Sequence, residues 1–377
     1  MPHLSRAVTN PFGARAMIAA LVAALATLAA SCGGTTPSAP TGGPSTTDPS
    51  QPASSASADA STPPSAAASP TAIPSPAGER LTVLLIGFDN TTERQQSELT
   101  DSLIVASLDP VASTVSLLGL PRDLSDFPLP SGTVYRQKLN SLYVAIQGNP
   151  GRYGGTAGAE PEAVLAGVIG NVVGMPIDYW AAIDMDGFAA MIDAVGGVDV
   201  YVEDAICDAG YRQLGVRGFE AAAGWWHMTG PQALGLARVR HDAGGSDFQR
   251  MRRQQDLLVA IRDAIVGAGA DGDPLAWIGR VPTIRTNLPA ELIVAAGSTA
   301  ATISAGRIHG RLIQPFGNGG TEVYDSRGYV LSANIDEIRE IAGLLFTDPG
   351  TRPTTGRPQA LPDKPSTLKD LPRFNGC

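Results

Sequence analysis

Three stretches of the chain carry the apolar pattern of β-strands. Leu81–Phe88 is a continuous run of apolar and β-branched residues, which is typical of a strand buried on both faces. Ser102–Leu108 and Thr114–Leu120 have the same character, and only the short connection Asp109–Ser113 separates them. So short a connection predicts that these two strands form an antiparallel hairpin.

Helical periodicity replaces this pattern in three other segments: Val164–Val173, Asp186–Ala194 and Ser246–Val266. Gly196 and Gly197 favour the end of the second helix, and a strand is predicted at Val198–Val202 directly after them. Because strands and helices alternate but a hairpin interrupts the alternation, we expect an α/β fold. It is a single large domain, residues 79–348, with a central mixed β-sheet flanked by helices.

The N-terminal segment, residues 1–31, has the pattern of an export signal. Arg6 and Arg15 precede the apolar run Ala16–Ala30, and no acidic residue lies before Cys32. The small residues that lead into Cys32 resemble a bacterial lipobox, which predicts a lipoprotein signal peptide and a lipid anchor on this cysteine. An ordinary cleaved signal peptide or an uncleaved signal anchor are the alternatives. All three place the domain outside the cytoplasm, at the outer face of the bacterial membrane.

Two low-complexity segments border the predicted domain. Residues 32–78 are mainly Ser, Thr, Pro, Ala and Gly and carry almost no charge, so they are expected to form a disordered linker to the membrane. Residues 349–377 are rich in proline and are expected to form an extended tail. If Cys32 carries lipid, then Cys207 and Cys377 remain, and a disulfide between them would fasten the tail to the domain. The sequence leaves that pairing open.

The composition argues against some partners and some kinds of metal site. The formal net charge is −9, which argues against nucleic acid as the main partner. The basic residues comprise 24 Arg and only 3 Lys. Genome base composition can cause this bias, and so can a need for bidentate phosphate contacts. Four His and three Cys are too few for a zinc ribbon or an iron–sulfur framework.

Charged residues collect where the predicted hairpin begins and ends. Asp101 precedes its first strand and Arg122 follows its second, so antiparallel pairing should make them neighbours. Asp89 follows the first strand, at the sheet edge where open α/β folds bind ligands. Two carboxylates and one guanidinium are therefore expected to share one rim of the sheet.

A second charged region covers residues 238–254. Arg238 and Arg240 are two residues apart, so in an extended chain both side chains would point to one face. Ser246 and Gln249 have the spacing of a capping box. In the helix that follows, three polar residues share the inward face with Leu257, Leu258 and Ile261, and they are Asp247, Arg250 and Gln254.

Charge on an inward helix face is costly unless it is paired or holds a ligand. One interpretation is a pyrophosphate bound by arginine forks, with a divalent cation between carboxylate and phosphate oxygens. The other is an internal Arg–Asp network that only stabilises the fold.

Seven segments resemble, in order along the chain, motifs of the LytR-CpsA-Psr family of bacterial cell-wall glycopolymer ligases. They are LLIGFD (84–89), TDS (100–102), SLLGLPRD (116–123), KLN (138–140), PIDYWAAIDMDGFAAMIDAVGGVDV (176–200), TGPQALGLARVRH (229–241) and SDFQRMRRQQ (246–255). The resemblance implies a fold of three αβα layers. It also implies transfer of a glycopolymer from a polyprenyl-pyrophosphate carrier to a peptidoglycan hydroxyl, and a Mg²⁺ or Mn²⁺ cofactor.

The family's functional residues can be placed on matching positions. By the resemblance, Asp89 and Asp101 correspond to the metal-binding carboxylates, and Asp247 supports the residues around the lipid pyrophosphate. These residues are Arg122, Arg238, Arg240, Arg250 and Gln254. One position departs from the family: Leu99 stands where an arginine is common, so either one phosphate contact is missing or Arg94 supplies it from the loop. The usual transmembrane anchor is also replaced by the predicted lipid anchor.

A prenyl carrier implies an apolar slot. Seven apolar residues on predicted helix faces are either lining or ordinary core: Val164, Leu165, Val168, Val172, Phe188, Met191 and Ile192. Trp225, Trp226 and His227 lie between glycines in a predicted loop, where they would stack on sugars or pack a turn.

The sequence offers no convincing nucleophile, since Cys207 has no evident His partner and no G-x-S-x-G motif occurs. An acceptor hydroxyl is then the natural attacking group. Two alternatives remain: hydrolysis of the pyrophosphate by water, and a non-catalytic binder of lipid-linked cell-wall intermediates.

Overall fold

The first predicted strand lies inside a six-stranded sheet of the computed structural model, which describes residues 80–91, 98–240, 246–267, 284–347 and 361–370. The strands are β1 Leu81–Phe88, β2 Thr100–Asp109, β3 Thr114–Leu120, β4 Leu124–Ser125, β5 Phe127–Pro128, β6 Val134–Tyr135, β7 Tyr179–Ile183, β8 Val198–Val202, β9 Ile206–Gln213, β10 Val216–Ala221, β11 Gly224–Met228, β12 Arg285–Thr286, β13 Ile308–Leu312, β14 Gln314–Pro315, β15 Gly319–Asp325 and β16 Gly328–Ala333. The α-helices are α1 Leu142–Gly148, α2 Pro161–Val173, α3 Met185–Ala194, α4 Gly230–Arg238, α5 Asp247–Gly267, α6 Ala290–Thr302 and α7 Ile335–Thr347.

The large sheet is mixed, as the sequence predicts. Its strand order is β12-β7-β1-β2-β3-β13. Strand β1 pairs with β2 antiparallel and with β7 parallel, and β3 pairs with β2 antiparallel and with β13 parallel. The predicted hairpin is therefore confirmed, and it occupies the middle of the sheet.

Apolar residues of the central strands divide between two cores, one on each face of the sheet. Val83 packs into a core with residues of α3, α4 and α5, whereas its neighbour Leu84 packs into a second core with residues of α1, α2 and α7. Burial on both faces explains why the first strand has no polar alternation. The result is a three-layer αβα arrangement, which confirms the expected fold class.

The ends of the helices follow the local sequence signals. At the start of α5, the Ser246 N–H donates to Gln249 Oε1 (3.2 Å) and the Gln249 N–H donates to Ser246 Oγ (3.3 Å), which confirms the predicted capping box. Gly196 and Gly197 both have positive φ, +87° and +99°, where α3 gives way to β8. These caps fix where the site-bearing segments begin and end.

Trp225, Trp226 and His227 form a strand, so the predicted loop is wrong. They belong to β11, which pairs antiparallel with β8 as a separate two-stranded ribbon. Part of the predicted tail lies against this ribbon, since the His227 N–H donates to Lys369 O (3.1 Å) and the Trp225 indole N–H donates to Pro362 O (3.0 Å). The backbone pairing with β8, which is distant in sequence, overrides the local glycine signal.

Several sequence expectations fall outside the described residues. They concern the signal segment, the linker, lipidation of Cys32, Arg94 and Cys377. Cys207 is disulfide-bonded. Within the described ranges, no helix combines the length and the apolarity that crossing a membrane requires.

Gly230→Ala should destabilise the domain. Gly230 starts α4 against α3, and an added Cβ would lie 2.0 Å from the carbonyl oxygen of Ala189, a backbone atom that cannot rotate away. We expect a loss of about 1–3 kcal/mol in the free energy of unfolding, measured by urea denaturation. Gly267→Ala is the matched control, because an added Cβ there meets no atom within 4 Å. Equal stability of the two variants would contradict the close packing of α3 and α4.

Candidate functional site

Charged residues from five segments meet at one end of the large sheet. Asp89 follows β1, Asp101 lies in β2 and Arg122 follows β3; the end of α4 and the start of α5 supply the rest. We call this set the arginine cluster, and its members are Asp89, Asp101, Arg122, Arg238, Arg240, Asp247 and Arg250. The sequence predicts this gathering, and the structure brings all of these residues together.

A β-bulge sets the direction of Asp101. Gly87 pairs with Ser102 and the next residue, Phe88, pairs with Thr100, so Asp101 is an extra residue without a partner on β1. In a regular strand Asp101 and Ser102 would point to opposite faces, but here both line the same cavity. The bulge therefore turns Asp101 toward the arginine cluster.

Arg122 joins the two carboxylates nearest to it. Its Nη1 donates to Asp101 Oδ1 (3.2 Å), as the hairpin predicts, and its Nε lies 3.5 Å from Asp247 Oδ1. Burial opposes the charge of Arg122, but Asp101, Asp247 and Asp123 outweigh it and raise the pKa of the guanidinium. Burial likewise opposes ionisation of Asp101, and Arg122, Arg250 and Arg238 outweigh it and hold the pKa of that carboxyl below its usual range.

Arg250 is the most deeply buried charge of the cluster. It is 2% exposed, on the inward face of α5 beside Leu257, as the helical stripe predicts. Its Nη2 lies 2.9 Å from Asp247 Oδ1 and donates to the Asp101 carbonyl oxygen (3.2 Å). Burial lowers the pKa of Arg250, and the neighbouring carboxylates offset this only in part.

Polar atoms in this region remain without hydrogen bonds. The Nε of Arg122, the Nε of Arg250 and both carboxylate oxygens of Asp247 are buried and lack a partner of acceptable hydrogen-bond geometry, although ion pairs surround them. Burial raises the pKa of Asp247 despite Arg250 and Arg122. Unsatisfied buried groups are costly, so their concentration marks this region as the candidate ligand site.

Arg238 and Arg240 reach the cluster, but not by the predicted route. Arg238 is the last residue of α4 rather than part of an extended segment, so the shared-face argument is wrong. Its Nη1 donates to Asp89 Oδ1 (2.6 Å) and contacts Met185 Sδ. Arg240 follows the helix end and is close enough to lower the pKa of Asp247.

Gln254 connects the helix to the sheet. Its Nε2 donates to Ala237 O (3.2 Å), next to Arg238, and its Oε1 accepts from Ser102 Oγ (3.0 Å). Ser102 is not among the predicted site residues; in a regular strand its side chain would lie on the face opposite to Asp101. Its inclusion in the segment 100–102 was the only signal. Lys138 is a second unpredicted neighbour, donating to Asp123 (2.6 Å) beside Arg122.

An apolar cavity of about 160 Å³ opens onto the cluster. We call it the apolar slot; its apolar lining includes Leu85, Ile104, Ile183, Phe188, Met191 and Leu234. Asp101, Ser102, Arg238 and Gln254 also line it. Of the seven apolar residues that the sequence suggests for a prenyl slot, Phe188 and Met191 line the apolar slot. The other five candidates are core: Val164, Leu165, Val168 and Val172 in the second core and Ile192 in the first.

Asp89 and Asp101 have the donor chemistry for a hard divalent cation. One oxygen of each carboxylate accepts from an arginine, through Oδ1 in both cases. Among the described residues, no three His, Cys, Asp or Glu side chains form a metal cage. Mg²⁺ commonly uses one or two carboxylates and takes its other ligands from phosphate and water, so this pair fits such an ion.

Sequence comparisons identify relatives of known function. A model of the LytR_cpsA_psr family matches residues 50–337. The polyisoprenyl-teichoic acid–peptidoglycan teichoic acid transferase TagV of Bacillus subtilis is 30% identical over 192 residues, which is 50% of this chain and 44% of that protein. The corresponding transferase TagU of Bacillus mycoides is 28% identical over 215 residues, 56% of this chain and 61% of that protein. The match spans about half the length of these relatives.

Solved structures share the fold. The crystal structure of B. subtilis TagV superposes with a TM-score of 0.55 at 23% identity, covering 71% of this chain and 96% of that one. The structure of TagT bound to LIIa-WTA gives a TM-score of 0.53 at 20% identity, covering 72% and 91%. At this level of identity the likeness establishes the three-layer architecture alone.

Proposed function

The chain belongs to the LytR-CpsA-Psr family, and on that premise we propose that it is a phosphotransferase of the cell wall. It moves a glycopolymer from a polyprenyl-pyrophosphate carrier to a sugar hydroxyl of peptidoglycan. The relatives TagV and TagU are transferases that act on polyisoprenyl-linked teichoic acid and peptidoglycan, which supports this kind of donor and acceptor.

One observation carries the proposal: the apolar slot opens directly onto the arginine cluster. Asp101 and Arg238 belong to both, while Phe188, Met191 and Leu234 line the apolar part. A ligand that fits both regions is amphiphilic, with a hydrocarbon chain joined to a strongly anionic group. A prenyl pyrophosphate has that construction, because the isoprene chain is apolar and arginine forks match phosphate oxygens.

The charge balance of the cluster explains why a divalent cation is proposed. Four guanidinium groups face three carboxylates, so the excess of positive charge is about one unit. A pyrophosphate diester brings about two negative charges. Mg²⁺ or Mn²⁺, held by Asp89 and Asp101, would supply the missing positive charge and draw electrons from the phosphoryl oxygens.

The reaction breaks and forms one bond to phosphorus. The acceptor hydroxyl oxygen attacks the phosphorus that carries the glycan, and the bond from this phosphorus to the bridging oxygen breaks. The products are a phosphodiester between glycan and peptidoglycan and a polyprenyl monophosphate, and the hydroxyl proton passes to solvent. Little covalent chemistry is required of the protein, so positioning and charge neutralisation provide most of the rate.

Each cluster residue has a definite task in this scheme. Arg122, Arg238, Arg240 and Arg250 bind the pyrophosphate oxygens as negative charge moves to the leaving phosphate. Asp247 orients two of these arginines through its contacts with Arg122 and Arg250. Gln254 is a positioning residue, because its bond to Ala237 O fixes the end of α4 that carries Arg238.

The proposed site of action is the outer face of the cytoplasmic membrane. Cys32 would carry the lipid anchor, and residues 33–78 would span the gap to the domain. A donor embedded in the membrane by its prenyl chain would then be within reach of the apolar slot.

A transfer assay tests the function. The full chain is mixed with a prenyl-pyrophosphate-linked glycan and peptidoglycan, and polyprenyl monophosphate and glycan-bearing peptidoglycan are measured. We expect both products in equal amounts and only when the acceptor is present. Release of prenyl phosphate without acceptor would instead identify a hydrolase. Tight donor binding without any product would identify a non-catalytic binder.

Phe188→Asp should impair donors with long prenyl chains selectively. Phe188 lines the apolar slot and is partly exposed, so a charge placed there opposes the hydrocarbon chain without emptying the core. We expect KM for a long-chain donor to rise by roughly 5- to 150-fold, the equivalent of about 1–3 kcal/mol. KM for a donor with a single isoprene unit should hardly change.

Phe316→Asp is the matched control for this prediction. Phe316 is 87% exposed and does not line the slot, so the same substitution should leave both KM values unchanged. An equal rise of KM for long and short donors in Phe188→Asp would contradict a prenyl chain in the slot.

A further inference from the structure

A second and larger cavity, of about 430 Å³, lies on another side of α5. Its walls are the ribbon of β8 and β11, the outward face of α5, and the tail residues Leu361 and Lys364. We call it the ribbon cavity. Its lining shares no residue with the apolar slot, so it is available to a different ligand.

The charges of the ribbon cavity disfavour a phosphate-rich ligand. Five carboxylates line it, against the three cations Arg252, Arg253 and Lys364. Arg252 pairs with Glu203, and Lys364 Nζ donates to Asp199 Oδ2 (2.5 Å). Arg253 donates to the carbonyl oxygens of Leu236 and Val239. The cations are thus engaged, and Asp263 pairs with Arg262 in turn. The exposed carboxylate of Asp204 can accept hydrogen bonds from hydroxyl or amide donors.

Aromatic rings add an apolar surface of suitable shape. Tyr201 and Trp225 both line the cavity, and their rings meet edge to face with centroids 5.6 Å apart. Because the contact is edge to face, it does not cover both faces of either ring. Aromatic rings beside hydrogen-bonding carboxylates suit a pyranose ring, which has apolar C–H faces and a rim of hydroxyl groups.

Helix α5 places this cavity next to the arginine cluster. Gln249 and Arg253 line the ribbon cavity, while Arg250 and Gln254, the residues that follow each of them, belong to the site on the inward face. Since a helix with its side chains is about 10–12 Å across, the cavity and the cluster are separated by about the width of α5.

We propose that the ribbon cavity binds an uncharged stretch of the acceptor glycan strand, with Trp225 as stacking platform and Asp204 as hydrogen-bond acceptor. This inference rests on the proposed transfer to peptidoglycan. It assigns the acceptor to a cavity separate from the donor slot, and the hydroxyl that reacts lies on a sugar beyond the part held in the cavity.

Binding of chitopentaose, a neutral β-1,4-linked N-acetylglucosamine oligomer, tests the site without any donor. Isothermal titration calorimetry on the full chain should detect binding whose affinity is nearly independent of salt, because the ligand carries no charge. Trp225→Ala should weaken binding about tenfold or more, and Trp225→Phe should restore part of the loss. Asp204→Ala, at an exposed position, should weaken binding without affecting the fold.

Trp226→Ala is the matched control. Trp226 neighbours Trp225 on β11 but does not line the cavity, and its indole N–H donates to Ala222 O (2.8 Å). Thermal unfolding of all variants, recorded in parallel, identifies any loss that comes from unfolding. Equal weakening in the Trp225 and Trp226 variants at equal stability would overturn the proposal. The proposal would also be overturned if a lysine-rich peptide bound at Trp225 and chitopentaose did not bind.

Transfer kinetics separate this inference from the proposed function. With both correct, Trp225→Ala raises KM for peptidoglycan and leaves KM for the donor unchanged. If wild-type protein transfers glycan but the Trp225 and Asp204 variants keep the same acceptor KM, the cavity assignment fails and the transferase stands. If chitopentaose binds through Trp225 but no transfer occurs with any donor, the glycan site stands and the proposed function fails.

Discussion

Arg238→Ala should lower the transfer rate by roughly 100- to 1000-fold, the usual cost of removing one group that stabilises charge in a transition state. The side chain lies at the mouth of the apolar slot and pairs with Asp89, so it is placed to contact both the pyrophosphate and its counter-ion site. The measurement is the initial rate of prenyl monophosphate release at saturating acceptor. Arg240→Ala should lower the rate in the same way.

Two further variants make this prediction specific. Arg238→Lys should also lose most activity, because an ammonium group keeps the charge but not the two-pronged geometry. Arg80→Ala is the matched control: Arg80 pairs with Asp109 (2.5 Å) at the end of β1 opposite to Asp89 and has the same side-chain exposure, 27%, as Arg238. Wild-type rates in both Arg238 variants would reject the phosphate-binding assignment. Equal losses of transfer rate in the Arg80 and Arg238 variants would show that the loss comes from disturbed folding.

Removal of divalent cations should abolish transfer and leave the domain folded. Asp89 and Asp101 approach the same arginine, Arg238, and the proposed cation supplies charge that the cluster lacks. We expect a fall of roughly 100-fold or more in excess chelator, reversed by Mg²⁺ or Mn²⁺. The thermal unfolding midpoint should hardly move, since the two cores contain no metal-dependent contact among the described residues.

Asp101→Asn assigns the cation to this carboxylate. The arginines hold the pKa of Asp101 low, so the residue is ionised at neutral pH, and the substitution removes one negative charge at nearly constant shape. The Mg²⁺ concentration for half-maximal rate should rise roughly tenfold or more. Asp109→Asn, which breaks the ion pair with Arg80 instead, serves as control. Transfer that persists in excess chelator, or an Asp101→Asn variant that only loses stability, would favour a structural salt bridge.

The sequence predicts best what depends on neighbours along the chain. The bounds of Leu81–Phe88 and Thr114–Leu120 agree with β1 and β3, and the hairpin places Asp101 beside Arg122 as expected. The capping box at Ser246 and the inward face of Arg250 are local helix geometry and were likewise predictable. These features rest on turn length, strand pairing and a 3.6-residue period.

Features that depend on distant partners were not predictable. The chain around Arg238 reads as extended, but helix α4 continues to that residue because its apolar face packs in the core with α3 and α5. The local sequence around Trp225 predicts a loop, because it does not show the pairing with β8 that makes this segment a strand. The walls of the apolar slot combine β1, β2, β7, α3, α4 and α5. The helical pattern places Phe188 and Met191 on an apolar face, but it does not show which side of the sheet that face contacts.

The bulge in β2 has a consequence for how this site can be gained or lost. From Ser102 onward the strand pairs regularly with β1, so deleting the single residue at position 101 would leave that register, the hairpin and both cores in place. It would nevertheless remove the carboxylate of Asp101, by which this strand contributes to the arginine cluster. If the proposed function is correct, loss of a single codon would therefore end catalysis and leave the fold. A descendant of this chain that kept the architecture but gave up the chemistry could be recognised by the length of this strand, before any of its other residues had diverged.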